Sequence, residues 1–507
     1  MSDIILATIN ARYVHASLGL RYLRANMGAL RERTRIVEFV LGARPLDMVE
    51  QLLALKPRII GFGVYIWNVE ETTRVVAQLK RIAPEVIVVV GGPEVSHEID
   101  EQRICAAADY TVTGWGDVVL PRLCRALMDG ERPPERVWAG EQPPLKTLAL
   151  PYDEYTDEDV ARRFIYVEAS RGCPFKCEFC LSALDKTAWP FDLDTLLAAL
   201  DRLHRRGARH FRFVDRTFNL KAATSLRILE FFLERMDDRT FLHFELIPDH
   251  LPDVLKQAIQ RFPAGALHFE VGIQTWNTEV QALISRRQDN ERAAENLRWL
   301  RKHTDALIHV DLIAGLPGED LASFGAGFDR LLALRPHEIQ VGILKRLRGT
   351  PIARHTEVRG MRYNPDPPYN VLATGCISFA DMQRISRFAR YWDMAGNSGR
   401  FVRTLPLMLG GADSAFERFM RYADWFFATT GKTHEISLER LFDAMHDYLV
   451  GELHLDRATV EAGLTDDYEA SGAKGRLTFM RTGVRPGRDE SNTARSRMRQ
   501  MRHLRTG

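Results

Sequence analysis

Short apolar runs alternate with amphipathic stretches through most of this 507-residue chain, and that alternation restricts it to α/β folds built on parallel sheets. Over residues 1–130 the strand candidates are 3–9, 34–40, 58–64, 85–91 and 109–113. Helices are expected near 17–30, 45–55, 69–82, 98–107 and 118–129. Runs such as Val86–Val90 are apolar without a break, which suits strands covered on both faces. The expectation is a doubly wound parallel sheet, with any ligand beyond the carboxyl ends of its strands. A second series has strands at 164–170, 209–215, 240–246, 266–273, 306–313 and 337–343. Helices at 192–206, 221–236, 252–261, 277–286, 289–303 and 321–334 separate them. Such units can close into a parallel barrel whose working face is its C-terminal mouth.

Composition shifts mark the joints. Pro133, Pro134, Pro143, Pro144 and Pro151 interrupt residues 131–163, which read as a linker. The acids from Asp153 to Asp159 read as a solvated face. The expected layout is an N-terminal domain at 1–130, a core at 164–365, a helical domain at 366–470 and a tail at 471–507. From Arg481 to Arg505 the tail carries eight arginines and few apolar residues, and disorder is expected. Residues Tyr391–Arg400, rich in aromatic and turn residues, read as core packing or as a cap on the barrel mouth. Cys376 reads as a small buried residue, with a radical role as the alternative.

One loop carries the sharpest chemistry. Cys173, Cys177 and Cys180 form C-x3-C-x2-C directly after the first barrel strand. Thiolates are soft ligands suited to iron–sulfur clusters, which usually take four. Three on one tight loop can hold three irons of a [4Fe-4S] cubane, leaving the fourth open to chelate something else. The alternatives are incidental core cysteines or part of a zinc site, but zinc wants a fourth close ligand. His204 and His210 lie beyond a helix. Only six cysteines are present, three in this loop, so a disulfide framework is not indicated and a reducing cytoplasm is expected. The formal net charge of +2 gives no case for nucleic acid or an anionic membrane as partner. The N-terminus has no early basic cluster of the signal-peptide kind, and no apolar run approaches a membrane span.

The loop, with Phe179 just before its third cysteine, resembles the signature of the radical S-adenosylmethionine (SAM) superfamily. The resemblance implies a partial (β/α)6 TIM barrel and a fourth iron that chelates SAM. Other strand ends carry family-like segments. Asp215-Arg216-Thr217-Phe218-Asn219 resembles the family's F-x-D-x-x-F variant, which makes Asp215 a candidate SAM contact or else a helix N-cap. Glu270-Val271-Gly272-Ile273-Gln274 resembles an EvGiQ element. Alternation puts Glu270, Gly272 and Gln274 on one face, aimed at the lumen. Asp311-Leu312-Ile313-Ala314-Gly315-Leu316-Pro317-Gly318-Glu319 resembles a D-x-I-x-G-L-P-G-E segment, implying that Asp311 and Gly315 lie on the adenine side of SAM. Gly349-Thr350-Pro351 resembles the family's GTP turn and is not a nucleotide site.

The N-terminal domain resembles the Rossmann-like cobalamin-binding domain found ahead of many radical SAM barrels. Gly91-Gly92-Pro93 follows the fourth strand, and Gly114-Trp115-Gly116-Asp117 follows the fifth, where the family pattern is GEGE-like. The resemblance implies that Asn10, Tyr65, Trp67, Gly91, Gly92, Pro93, Gly114, Gly116 and Asp117 contact cobalamin. His15 stands where some members carry a cobalt ligand in D-x-H-x-x-G. Here the Asp is absent and Gly19 comes one residue late. The expected floor under the corrin is therefore Tyr65, Ile66, Trp67 and Asn68, without a histidine bond. The helical segment behind the barrel resembles a domain of unknown function attached to some such proteins.

Together these resemblances imply a cobalamin-dependent radical SAM enzyme. The expected reaction is methyl transfer to an unactivated carbon through a 5′-deoxyadenosyl radical and methylcobalamin. The substrate would be a small molecule or peptide, and an external electron donor of flavodoxin or ferredoxin type would be needed. Two alternatives stand beside it. One is a cobalamin-type radical reaction without methyl transfer: cyclisation, ring contraction or oxidation. The other is a non-catalytic cobalamin- or redox-binding protein.

Overall fold

Two six-stranded parallel sheets organise the molecule. The computed structural model describes residues 3–185, 187–411, 413–473, 475, 477–479, 499, 502 and 503. The first sheet contains β1 (Ile4–Asn10), β2 (Thr34–Val40), β3 (Ile59–Gly63), β4 (Ile87–Gly91), β5 (Tyr110–Gly114) and β6 (Val137–Gly140). Its order is β2-β1-β3-β4-β5-β6, and every pairing is parallel. Successive side chains enter opposite layers. Val88 and Val90 pack in one core, Ile87 and Val89 in the other. The order of strand addition reverses between β1 and β3, where a doubly wound sheet opens a crevice.

β6 is a correction to the linker reading. Four residues between proline pairs carry too little periodicity to announce a strand, yet Val137–Gly140 pairs in register with Thr111–Gly114. The acidic stretch is a partial correction: Asp153, Asp157 and Glu158 are exposed as expected, but Glu154 and Asp159 are buried between the domains. Asp159 and Glu38 share Arg21 and Arg163, while Glu154 meets Arg24 and Arg31. Arg163 also donates to the carbonyls of Tyr13 and His15, so these charges seat the first-strand loop on the second sheet.

The second sheet runs β7 (Ile165–Val167), β8 (His210–Phe213), β9 (Phe241–Leu246), β10 (Leu267–Gln274), β11 (Leu307–Ala314) and β12 (Glu338–Ile343) in spatial sequence, all parallel. β7 and β12 do not pair with each other, so the barrel is open. Side-chain caps start its helices: Asp192, Asn277, Asp289 and Asp320 each accept from backbone N–H groups of the first turn. Both open edges are covered. Asn397 accepts from Ile339 N at 2.8 Å and donates to Ile339 O at 2.9 Å, standing in for a neighbouring strand. On the other edge, Phe164 N donates to Val14 O.

Asn397 follows the long helix Phe379–Ala395, whose Phe388 and Trp392 pack against Phe328 and Phe419. The aromatic stretch from Tyr391 is thus core packing along the barrel. Cys376 is exposed, contrary to its reading as a buried residue, because it sits in the turn just before that helix. Most of the tail expected to be disordered lies outside the described residues. Within it, Arg499 pairs with Glu338 and Asp393. No described helix is long and apolar enough to cross a membrane.

Candidate active site: two cavities sharing one wall

β10 shows how sequence aims side chains at the mouth. Its residues alternate between buried and half-buried, with Phe269, Val271 and Ile273 against the helices and Glu270, Gly272 and Gln274 towards the lumen. The pairing with β11 shifts between Gly272 and Gln274, and Gln274 has φ of 68°. A bulge with a non-glycine residue in the left-handed region bends the strand end and re-aims its side chain. Gln274 reaches the cavity, and its Oε1 is buried with no hydrogen-bond partner. An orphaned acceptor at a cavity wall fits a ligand that brings a hydroxyl or amine donor.

That cavity, of about 220 Å³, is lined by Cys173, Cys177, Cys180 and Phe179, and by Glu245, Glu270, Gln274, Arg286 and Asp311. Among the described residues, no three His, Cys, Asp or Glu side chains stand close enough to grip one metal ion. Burial pushes the Cys173 thiol up to about 11, so a thiolate there would need a positive partner. Cys177 is also raised by burial, but the Arg286 guanidinium opposes this from 3.6 Å. Gly272 O and Gln288 Oε1 hold that guanidinium in place. Arg286 escaped the sequence reading, since a cation after a helix carries no pattern of its own.

The carboxylates at the mouth are differentiated. Burial raises Glu245 to about 7 despite its pair with Arg216 at 2.8 Å. Burial also works to raise Glu270, but the hydrogen bond and charge of His243 hold it below the ordinary range. Asp311 is raised by burial, with His309 opposing at 3.1 Å. His309 also meets Glu338, and between two carboxylates it stays protonated, with its pKa raised to about 10 despite burial. The lumen beneath the mouth is therefore a charged layer, where closed barrels of this kind are filled by branched apolar side chains.

Asp215 lies elsewhere. It is 4% exposed, and its oxygens accept from Ala169 N at 3.0 Å and Ser170 Oγ at 2.6 Å. Burial pushes it up to about 6. It braces the strand that leads into the cysteine loop and is not among the residues that line the cavity. Gly315 also lies off the cavity lining. Its φ of +85° turns the chain against Val371 and Met382.

A larger cavity of about 590 Å³ opens at the carboxyl ends of β3, β4 and β5. Tyr65, Gly91, Gly92, Pro93, Gly114, Gly116 and Asp117 line it, between apolar walls that include Leu20, Val90, Val112 and Leu120. Gly92 has φ of +116°, and a Cβ there would stand 2.5 Å from Val64 O. Gly114, with φ of +66°, would meet Gly140 O at 2.7 Å. These turns must be glycine for the loops to close around the cavity. Its apolar walls and backbone-lined turns suit a large, mostly apolar ligand with polar edges.

Of the residues named around that ligand, Asn10, His15, Ile66, Trp67 and Asn68 are not in its lining. Asn10 donates to His15 O and Glu38 Oε1. Trp67 stacks on Tyr65 with ring centroids 4.4 Å apart and donates to Ile9 O, so it backs the floor from outside. His15 Nδ1 lies 2.7 Å from Tyr166 OH in the seam between domains, and burial lowers its pKa to about 4, leaving it neutral. The lining also includes residues that sequence reasoning passed over: Tyr22, His97, Glu168 and Arg171.

The two cavities share a wall. Arg171, Gly172, Leu181, Leu184 and Asp185 face the larger one, and Cys173, Cys177, Cys180 and Ala183 the smaller. The cysteine loop is the partition. Fold and site together define an α/β enzyme with a thiol-lined cavity at an open barrel's mouth, set against a second cavity in a doubly wound domain.

Family models match three consecutive stretches: the B12 binding domain over residues 4–124, the Radical SAM superfamily over 167–330, and a protein of unknown function, DUF4080, over 358–504. The chain is a radical SAM superfamily enzyme with a B12-binding domain ahead of its barrel. It is similar to the cobalamin-dependent radical SAM methyltransferase TokK of Streptomyces tokunonensis, 24% identical over 458 residues, covering 78% of this chain and 62% of TokK. It is 27% identical over 236 residues to an uncharacterized methyltransferase, PH0819, of Pyrococcus horikoshii, covering 42% of this chain. The chain spans about half the length of that relative, 51%. Two solved structures share the fold. OxsB, solved with aqua-cobalamin and S-adenosylmethionine, superposes with a TM-score of 0.60 at 13% identity, covering 99% of this chain and 83% of OxsB. TsrM of Kitasatospora setae, solved with cobalamin and a [4Fe-4S] cluster, gives 0.57 at 19% identity, covering 73% of this chain and 82% of TsrM.

Proposed function

We propose that this protein is a cobalamin-dependent radical SAM methyltransferase that acts on an unactivated carbon. The observation that carries the reading is the shared wall: a loop bearing three cysteines separates a small thiol-lined cavity from a larger apolar one. In this reading Cys173, Cys177 and Cys180 hold a [4Fe-4S] cluster, with SAM in the smaller cavity and cobalamin in the larger. When bound, the cluster and SAM supply a radical able to open a C–H bond, and cobalamin supplies the methyl group. The protein's own part is to bind, orient and shield. The free Oε1 of Gln274 and the carboxylates of Glu270 and Asp311 offer acceptors for the hydroxyl and amino groups of SAM. Arg286 stands beside Cys177, and Tyr65, backed by Trp67, floors the larger cavity. The name of TokK supports the methyl-transfer reading.

The substrate is a small molecule or peptide, and an external one-electron donor of flavodoxin or ferredoxin type completes the system. A reducing cytoplasm suits the chain, whose described cysteines are all free. The deciding experiment is anaerobic turnover with methyl-labelled SAM. Label in product supports methyl transfer. Deoxyadenosine without labelled product would point to a cyclisation, ring contraction or oxidation, and no SAM cleavage at all to a binding protein.

A further inference from the structure

Arg171 sits two residues before Cys173, on a short ribbon in which Ser170–Arg171 pairs with Trp189–Pro190. Its guanidinium lies within a cage of aromatic faces: 4.4 Å from the ring centre of Tyr22, 4.9 Å from Trp115 and 5.5 Å from Phe191. It donates to Asp117 through both terminal nitrogens, at 2.8 and 3.3 Å, and through Nε to Glu168 at 2.8 Å. Tyr22, Trp115 and Asp117 come from the B12-binding domain, while Glu168 and Phe191 come from the barrel. A second ring layer closes the cage: Tyr22 stacks on Phe191, and Trp115 meets Trp189 edge-on.

Other ionic contacts between the domains, such as Arg21 with Asp159 and Arg348 with Glu94, lie away from the partition. This one is the partition. Asp117 ends the turn Gly114–Asp117 that lines the larger cavity, and the backbone of Arg171 continues directly into the cysteine loop. Planar forks and ring faces fix a guanidinium in both distance and tilt, which a lysine ammonium would not do. The arrangement also accounts for one departure from the family pattern: Trp115, which replaces the first acid of the GEGE-like turn, walls the cage, while Asp117 keeps the second acid and accepts from Arg171 with both oxygens.

We propose that Arg171 is a positioning residue whose fork to Asp117 and Glu168 sets the separation and orientation of the corrin cavity relative to the cysteine loop. The inference rests on the two-cofactor reading above. Its test uses the full chain, reconstituted anaerobically with iron, sulfide and hydroxocobalamin, as wild type, Arg171→Gln and Asp117→Asn. Iron content and corrin absorbance report binding. Pulsed EPR of the spin–spin interaction between cob(II)alamin and the reduced cluster reports their relative placement. Both variants are expected to retain iron, and in chains that hold both cofactors the interaction should be shifted or broadened. Methyl transfer should fall roughly 10²-fold while deoxyadenosine formation persists, the cost of a misplacement of about 1 Å. Asp117→Asn keeps the side-chain shape, so it carries the test if Arg171→Gln does not fold. An unchanged interaction in a variant holding both cofactors overturns the proposal. A wild type that binds no corrin or builds no cluster overturns the cofactor reading instead.

Discussion

Glu178 and His355, 177 residues apart, meet through Oε2 and Nε2 at 2.9 Å. Glu178 lies inside the cysteine loop, between Cys177 and Cys180, and is 4% exposed. Its carboxylate also accepts from Arg354 Nε at 2.8 Å and from Ser285 Oγ at 2.6 Å, while its backbone N–H donates to Ile284 O. The loop is thus tied to the far end of the barrel at Glu178 and to the B12-binding domain at Arg171. Glu178→Ala is expected to lower stability by about 2 kcal/mol, since buried hydrogen-bonding partners lose their acceptor. It should also lower the iron retained per chain. Denaturant titration and iron analysis check this. Glu178→Gln, which keeps an acceptor, should retain most of the iron.

The three loop cysteines should separate cleanly from Cys376. Cys177→Ala is expected to lose the cluster absorbance and all deoxyadenosine formation. Cys376→Ala, altering an exposed residue in a turn before a helix, should retain both. The measurement is iron content together with chromatographic detection of deoxyadenosine under reducing anaerobic conditions. Full activity in Cys177→Ala would refute the cluster assignment.

Elements with a period were legible in the sequence, and contacts between domains were not. The strands of both sheets follow from apolar runs long enough to show their spacing, and the mouth position of Glu270 and Gln274 from simple alternation along β10. β6 is only four residues long and flanked by prolines, so no period could form. The acids at Glu154 and Asp159 look solvated in any local window. Their burial depends on Arg21, Arg24, Arg31 and Arg163, which arrive from another domain or another face. Asp215 had the right place in the chain, but its carboxylate turns back to Ala169 and Ser170. A motif gives a residue's position, and local hydrogen bonding decides which way it points.

His15 offers a direct check on the corrin's lower face. Its Nδ1 partners Tyr166 OH, and the residue stands outside the lining of the larger cavity. His15→Ala should leave the visible spectrum of bound cobalamin unchanged and lower stability by about 1 kcal/mol, the value of one buried hydrogen bond. A clear change in the spectrum on substitution would put an imidazole on cobalt and overturn the histidine-free floor.

Glu319, at the end of the D-x-I-x-G-L-P-G-E segment, should make stability depend on pH in an unusual direction. It is 2% exposed, its Oε1 accepts from Thr275 Oγ1 at 2.6 Å, and its Oε2 has no partner. Burial, only partly opposed by the Thr275 hydrogen bond, pushes its pKa up to about 7. The folded carboxyl therefore holds its proton over a range in which the unfolded one, near the ordinary value of 4.5, has already lost it. Where the folded state binds more protons, stability falls as pH rises, so the penalty grows from about pH 4.5 to about pH 7 and is then complete. That displacement corresponds to roughly 3 kcal/mol. Glu319→Gln removes the titration while keeping the shape and an acceptor for Thr275. Relative to wild type, the variant should be nearly neutral at about pH 5 and more stable by up to roughly 3 kcal/mol at about pH 8. Urea denaturation of both proteins at the two pH values measures the difference. A difference that does not change with pH would show that the Glu319 carboxyl ionises normally in the folded protein.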